Sequence, residues 1–387
     1  MIAFLLSALM AVGAAAGSDS EKEPGEVKSG REGVAEVEKQ YKVLKDPALQ
    51  ERLDRIGKPI AEVANTVVVP ASYGDSKIIK FEYTFKILDE KDINAFALPG
   101  GFIYVNKGLL DFVESDHELA SVLAHEVVHA AHHHMVALVK QQTKLNNKMA
   151  LVLLAALLGK MPSADVGNIM FGATLVQIAK MSSYGQEAEA DADRAAVVYL
   201  SKTEYNPVGL LTFIERLSRT TEIYEEKAGI WQTHPFGGDR RATILAKLKE
   251  LKIPVARRQV SNTLKAMVAT KLVDGRDVVE ITIGEKVVMR VADGADGEPA
   301  AKRAERLARD LNNMLDSEAQ YREIKLDGSE PMVTVRGVPL LRVSESDAQL
   351  SQSTPAEVAK RAAETIRAAA WKQMVDMLMA PMGSNLK

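Results

Sequence analysis

The residues of this chain best spaced for chemistry are His125-Glu126-Val127-Val128-His129, two histidines one helical turn apart with a carboxylate beside the first. Residues i and i+4 lie on one face of a helix, so both imidazoles reach one cation. Glu126 stands next to them, where a carboxylate handles the proton of an attacking water. HExxH on a helix is the arrangement of zinc peptidases, two ligands plus a general base.

A catalytic zinc needs a third protein ligand and an open position. The seven histidines are 117, 125, 129, 132, 133, 134 and 234. An HExxHxxGxxH route to the third ligand fails, because His132 stands at the glycine position and Met135 at the last histidine position. The other route is a carboxylate from a second helix, and Glu187-Ala188-Glu189-Ala190-Asp191 supplies one. Glu187 and Asp191 share a face, whereas Glu189 lies about 200° round from Glu187. The expectation is Glu187 as third metal ligand and Asp191 as the acceptor that orients a ligand histidine, with Glu189 and Asp193 solvated or salt-bridged. His132, His133 and His134 suggest a second metal site, but read first as solvent-facing helix residues.

Several elements must position these groups. Ser115 and Glu118 form a Ser-x-x-Glu capping box for the HExxH helix, Asp116 adds charge to its first turn, and the helix is expected to run to about Met135. Ser183 and Gln186 offer a similar start to the glutamate helix. Upstream, residues 34–65 carry helical periodicity, 78–87 alternate like a strand, and 102–105 read as a short strand. Residues 101–105 are expected to act as an edge strand that docks an extended polypeptide, which makes Gly100, Gly101, Phe102, Ile103 and Tyr104 candidate substrate contacts. The apolar runs 149–158 and 169–181 are too short to span a bilayer. They read as buried or site-covering helices, with a peripheral membrane-contact surface as the alternative.

At 387 residues the chain has room for two domains, and 47% apolar with 26% charged residues is ordinary globular composition. A formal charge of −3 gives no electrostatic footprint for nucleic acid. The absence of cysteine excludes disulfides, thiolate ligands and a cysteine nucleophile. Residues 2–16 are apolar, end in Ala14-Ala15-Ala16 and precede a polar stretch. They read as an export signal cleaved near Ala16, with a retained membrane anchor as the alternative. Either way the body lies outside the cytoplasm, which in a bacterium means the periplasm. Residues 18–33 read as a flexible leader.

HExxH followed by Glu187-Ala188-Glu189-Ala190-Asp191 resembles the M48 family of zinc metallopeptidases, of gluzincin type. Asn94 to Gly101 resembles the strand and turn before that family's active-site helix. Thr233-His234-Pro235 with Arg240 resembles its Thr-His-Pro motif and downstream arginine, and His134 fits a histidine common soon after HExxH. Two departures concern local salt bridges: Ser183-Tyr184 stands for the usual Ser-Arg, and His133 for a common arginine. The likeness covers roughly residues 45–250. It implies one Zn2+ per chain on His125, His129 and Glu187, Glu126 as general base, and Asp191 and Arg240 behind the ligands. His234 is then a catalytic residue, either as an oxyanion donor or as a fourth ligand that blocks water.

Beyond about Pro254 the pattern changes. Residues 278–291 alternate like a hairpin turning at Gly284, and 299–315 form a charged amphipathic helix; 333–343 and 355–378 repeat both. Gly284 to Val291 aligns with Gly337 to Val343 after one deletion, so the region reads as a duplicated β-hairpin–helix unit. The expected class is α+β: a mainly helical zincin-like domain over 34–254 with a small sheet, then a small α+β domain over 255–387. The expected function is zinc endopeptidase action on unfolded or misassembled envelope proteins, with a non-catalytic or latent chaperone for envelope protein assembly as the alternative. Expected partners are a polypeptide substrate, no nucleic acid, and an envelope protein docked on the C-terminal domain.

Overall fold

The computed structural model describes residues 24–144, 148–160, 169–181, 185–219 and 240–379. The export signal, Ser183-Tyr184 and the Thr-His-Pro motif with His234 lie outside the described residues.

Helices α1 (Gly25–Gln40) and α2 (Pro47–Thr66) precede a three-stranded sheet of β1 (Thr84–Leu88), β2 (Ala95–Leu98) and β3 (Phe102–Asn106). After α3 (Lys107–Phe112) come α4 (Asp116–Ala131), which carries HExxH, then α5 (His134–Thr143), α6 (Lys148–Leu157) and α7 (Ile169–Met181). The N-terminal half closes with α8 (Gln186–Leu200), α9 (Val208–Leu217) and α10 (Arg240–Glu250). Helix α1 already covers residues 25–33, which the composition had assigned to a leader. It is ordered by close packing: a Cβ on Gly30 would lie 1.9 Å from the Pro99 carbonyl oxygen, so only glycine admits this approach.

The sheet order is β1-β3-β2, with β3 parallel to β1 and antiparallel to β2. Strand β3 is therefore central, and the expectation of an edge strand over 101–105 is corrected. Ile103 and Tyr104 are buried, Phe102 is half-buried, and Gly100 and Gly101 are enclosed by α1 and by Phe81 and Tyr83. Each main-chain partner a polypeptide would need on β3 is already supplied within the sheet.

Helix α4 is buried on all sides. Leu119, Leu123, Val127 and Val128 lie fully inside a core shared with α2, α8, α9 and the sheet. Burial of this kind stabilises by about 1.5–3 kcal/mol per side chain. A second cluster packs α1, α5, α6 and α7 on the other side of the sheet, burying Leu153, Leu157, Leu175 and Val176 against Phe96 and Tyr104. Leu151 and Val152 of α6, and Leu158 just beyond its end, are exposed. No helix among the described residues is long and apolar enough to cross a membrane.

The short helix α11 (Arg257–Val260) joins the two halves. Buried Glu215 of α9 accepts two hydrogen bonds from Arg257, and Glu114 accepts from Ser261 and the Asn262 amide. Beyond it lie two three-stranded antiparallel sheets, β4 (Ala266–Val273), β5 (Arg276–Ile283) and β6 (Lys286–Val291), then β7 (Ile324–Leu326), β8 (Met332–Val335) and β9 (Val338–Arg342). Helices α12 (Ala300–Asp316), α13 (Glu345–Leu350) and α14 (Pro355–Met379) complete one common core with them. Both hairpins turn at a positive-φ glycine, Gly284 and Gly337, and both shift register three to four residues beyond it. The extra residues, Val288 and Leu340, stand at matching positions of the aligned segments.

Candidate metal centre

Helix α4 starts where the Ser115 hydroxyl accepts from the Glu118 amide. The Glu118 carboxylate does not return to Ser115. It accepts instead from the Glu114 amide and from Arg216, so only half of the expected box forms. The far end differs as well. The helix stops at Ala131, because His133 takes a left-handed conformation with φ of 54°. His133 is held there through Nδ1 to Glu26 at 2.7 Å and through Nε2 to the Lys77 carbonyl at 3.1 Å. Burial would lower its pKa, but Glu26 more than offsets this and raises it.

His125 and His129 turn their Nε2 atoms toward each other, 3.1 Å apart. The carboxylate that meets them is Glu189, with Oε2 3.3 Å from His125 and Oε1 3.5 Å from His129. Glu187, the expected third ligand, is exposed at the start of α8 and does not join the pair. The helical rule held, since partners four residues apart share a face, but the pair that faces inward is Glu189 with Asp193. Both are fully buried rather than solvated. Buried alanines at 188, 192, 195 and 196 let α8 lie close to α4, because small contact residues set a short interaxial distance.

Asp193 lies 3.0 Å from His125 Nδ1, the nitrogen opposite the one that meets Glu189. Arg240, buried at the start of α10, donates to Asp193 from Nε at 2.8 Å and Nη2 at 2.6 Å, and its Nη1 lies 3.2 Å from Glu189. Burial alone would raise the Asp193 pKa; Arg240 and His125 more than reverse this and hold the carboxyl below its ordinary range. Burial likewise opposes charge on His125, yet Asp193 and Glu189 push its pKa up to about 9.

Asp191 does not touch either HExxH histidine. Its Oδ2 meets His132 Nδ1 at 2.5 Å and His134 Nε2 at 3.2 Å, while Oδ1 accepts from the Ser72 amide and Arg194. His134 in turn places Nδ1 3.0 Å from His129 Nδ1. The three histidines expected in solvent are thus buried. In an unbroken helix His134 would sit about 140° round from His129; the left-handed turn at His133 folds its ring back.

Glu126 is buried and lines a small cavity with Val122, His125, Phe213, Ile214 and Arg240. Two imidazoles and a carboxylate around one point, with a second carboxylate alongside, can bind a divalent cation and move a proton next to it. The donors are buried, close and of the types zinc prefers, so the residues present fit that metal.

Both halves of the chain are similar to known protein families. Residues 272–372 match a family described as a domain of unknown function (DUF8459). The chain is 28% identical to a putative beta-barrel assembly-enhancing protease of Vibrio cholerae over 51% of this chain and 39% of that protein. It is also 28% identical to the metalloprotease LoiP of Escherichia coli strain K12, over 52% of this chain and 77% of the relative. A mitochondrial metalloendopeptidase OMA1 of Arabidopsis thaliana matches at 28% over 42% of this chain and 30% of its own length. The chain spans about two fifths of the length of the beta-barrel assembly-enhancing proteases it matches. Residues 47–248, which hold the whole HExxH and Glu189 constellation, match the model of peptidase family M48, and the chain belongs to that family.

Proposed function

We propose that this protein is a zinc-dependent endopeptidase of the cell envelope that cleaves unfolded or misassembled envelope polypeptides. The observation that carries the reading is the meeting of His125, His129 and Glu189 in one buried cluster with Glu126 adjoining it. His125, His129 and Glu189 would hold the metal, one ion per chain. When bound, zinc acts as a Lewis acid that polarises a carbonyl and acidifies water.

The chain's own residues do the rest. Glu126 accepts a proton from the attacking water and later passes it to the leaving amine. The Asp193 carboxylate, 3.0 Å from His125 Nδ1, attracts the proton on that nitrogen, which favours the ring orientation with Nε2 toward the cluster. Arg240 neutralises Asp193 and offsets part of the Glu189 charge. The apolar wall of Val122, Phe213 and Ile214 limits water on one side of Glu126.

The envelope assignment draws on the relatives named for beta-barrel assembly and on the apolar N-terminal segment. The C-terminal domain, which offers no catalytic constellation among the described residues, serves in this reading to dock an envelope protein. Casein incubated with wild type and with Glu126→Gln tests the activity, provided that both hold zinc. Cleavage by wild type alone supports it. Equal cleavage by both, or none by zinc-loaded wild type on casein and on a misfolded envelope protein, contradicts it.

A further inference from the structure

His132 Nδ1, His134 Nε2 and Asp191 Oδ2 form a second buried group whose spacing resembles a metal site. Counting protons decides what it does, given the proposed metal centre on which the argument rests. A neutral imidazole has one N–H and one bare nitrogen. If His129 turns a bare Nε2 to the cation, its proton is on Nδ1. His134 Nδ1 faces that N–H at 3.0 Å and must accept it, which puts the His134 proton on Nε2, pointing at Asp191 Oδ2. A metal in the second group would need the His134 Nε2 lone pair and would move the proton to Nδ1. Two N–H donors would then oppose each other at 3.0 Å.

We infer that His134 is a positioning residue: it relays the Asp191 carboxylate to His129, fixes the tautomer in which His129 binds the catalytic metal, and thereby excludes a second metal from the adjacent cluster. The surroundings agree. Asp191 is anchored on its other oxygen by the Ser72 amide, the Ser72 hydroxyl and Arg194, so it is rigidly placed to receive the His134 proton. His132 gives its Nδ1–H to the same Oδ2, and its Nε2 has no hydrogen-bond partner among the described residues, as suits a bare nitrogen. The two ligand histidines are thus braced differently: His125 directly by a carboxylate, and His129 through an interposed imidazole.

The test compares His134→Asn, whose amide oxygen can stand where Nδ1 stood, with His134→Gln, whose amide stands nearer Nε2. Zinc affinity is read by chelator competition, zinc stoichiometry by elemental analysis, and ligand geometry by the visible spectrum of the cobalt-substituted protein. The relay predicts one zinc in wild type, a loss of about 10–100-fold in affinity and an altered cobalt spectrum for His134→Gln, and substantial recovery of both in His134→Asn. Equal loss in the two variants, wild-type affinity in both, or two zinc ions per wild-type chain of which His134→Gln loses one, would overturn it. Wild type that binds no stoichiometric zinc removes the metal-centre reading itself, and this is seen before any substitution is made.

Discussion

Asp193 lies 3.0 Å from Nδ1 of His125, while Glu189, one helical turn earlier, meets the same ring at Nε2. One face of α8 thus addresses both nitrogens of one histidine, and Arg240 clamps that face from behind. Asp193→Asn keeps the shape but weakens the acceptor and reduces the attraction for Arg240. Zinc affinity should fall about 10–100-fold with HExxH intact. Competition with a chromogenic chelator measures it; unchanged affinity would show that Asp193 does not set the ligand.

Zinc uptake should release protons. Without metal, His125 titrates at about 9, so near pH 7 it carries a proton that binding must displace. Apparent zinc affinity should therefore weaken as the pH falls below about 9. Calorimetry in buffers of different ionisation enthalpy reports the released protons directly, and no dependence on buffer would contradict a protonated His125.

The junction between the halves depends on Glu215. Burial would raise its pKa, but Arg257 and Arg241 hold it below the ordinary value. A carboxyl depressed in the folded state stabilises fully above its unfolded pKa, and that stability is lost as pH falls through the folded value. Arg257→Leu breaks this buried pair and should cost about 3–5 kcal/mol near neutrality. The gap from wild type should narrow in acid as Glu215 protonates in both proteins. Denaturant unfolding at pH 7 and at pH 4 checks the size and the sign.

The pairing of His125 with His129 was legible because their spacing alone puts them on one helical face, whatever surrounds them. The carboxylate that meets them was legible only as a type. Glu187 with Asp191 and Glu189 with Asp193 satisfy the same four-residue rule, and the choice depends on how α8 rolls against α4, which its alanines and Arg240 decide. The role of His134 was hidden for a similar reason, since continued helical geometry would point it about 140° away from His129. The positive φ of His133, held by Glu26 on α1, turns His134 inward. Strand β3 read correctly as a strand, but its neighbours are set by long-range pairing that a local alternation does not contain. The C-terminal hairpins were legible through their turn glycines, whose positive φ leaves a mark in the sequence.

The most direct test is zinc content and casein cleavage in Glu189→Gln and Glu187→Gln, measured side by side with wild type. The account predicts one zinc and full activity in Glu187→Gln, against a loss of affinity beyond about 100-fold and no cleavage in Glu189→Gln. Retention of zinc and activity in Glu189→Gln, with loss in Glu187→Gln, would contradict it.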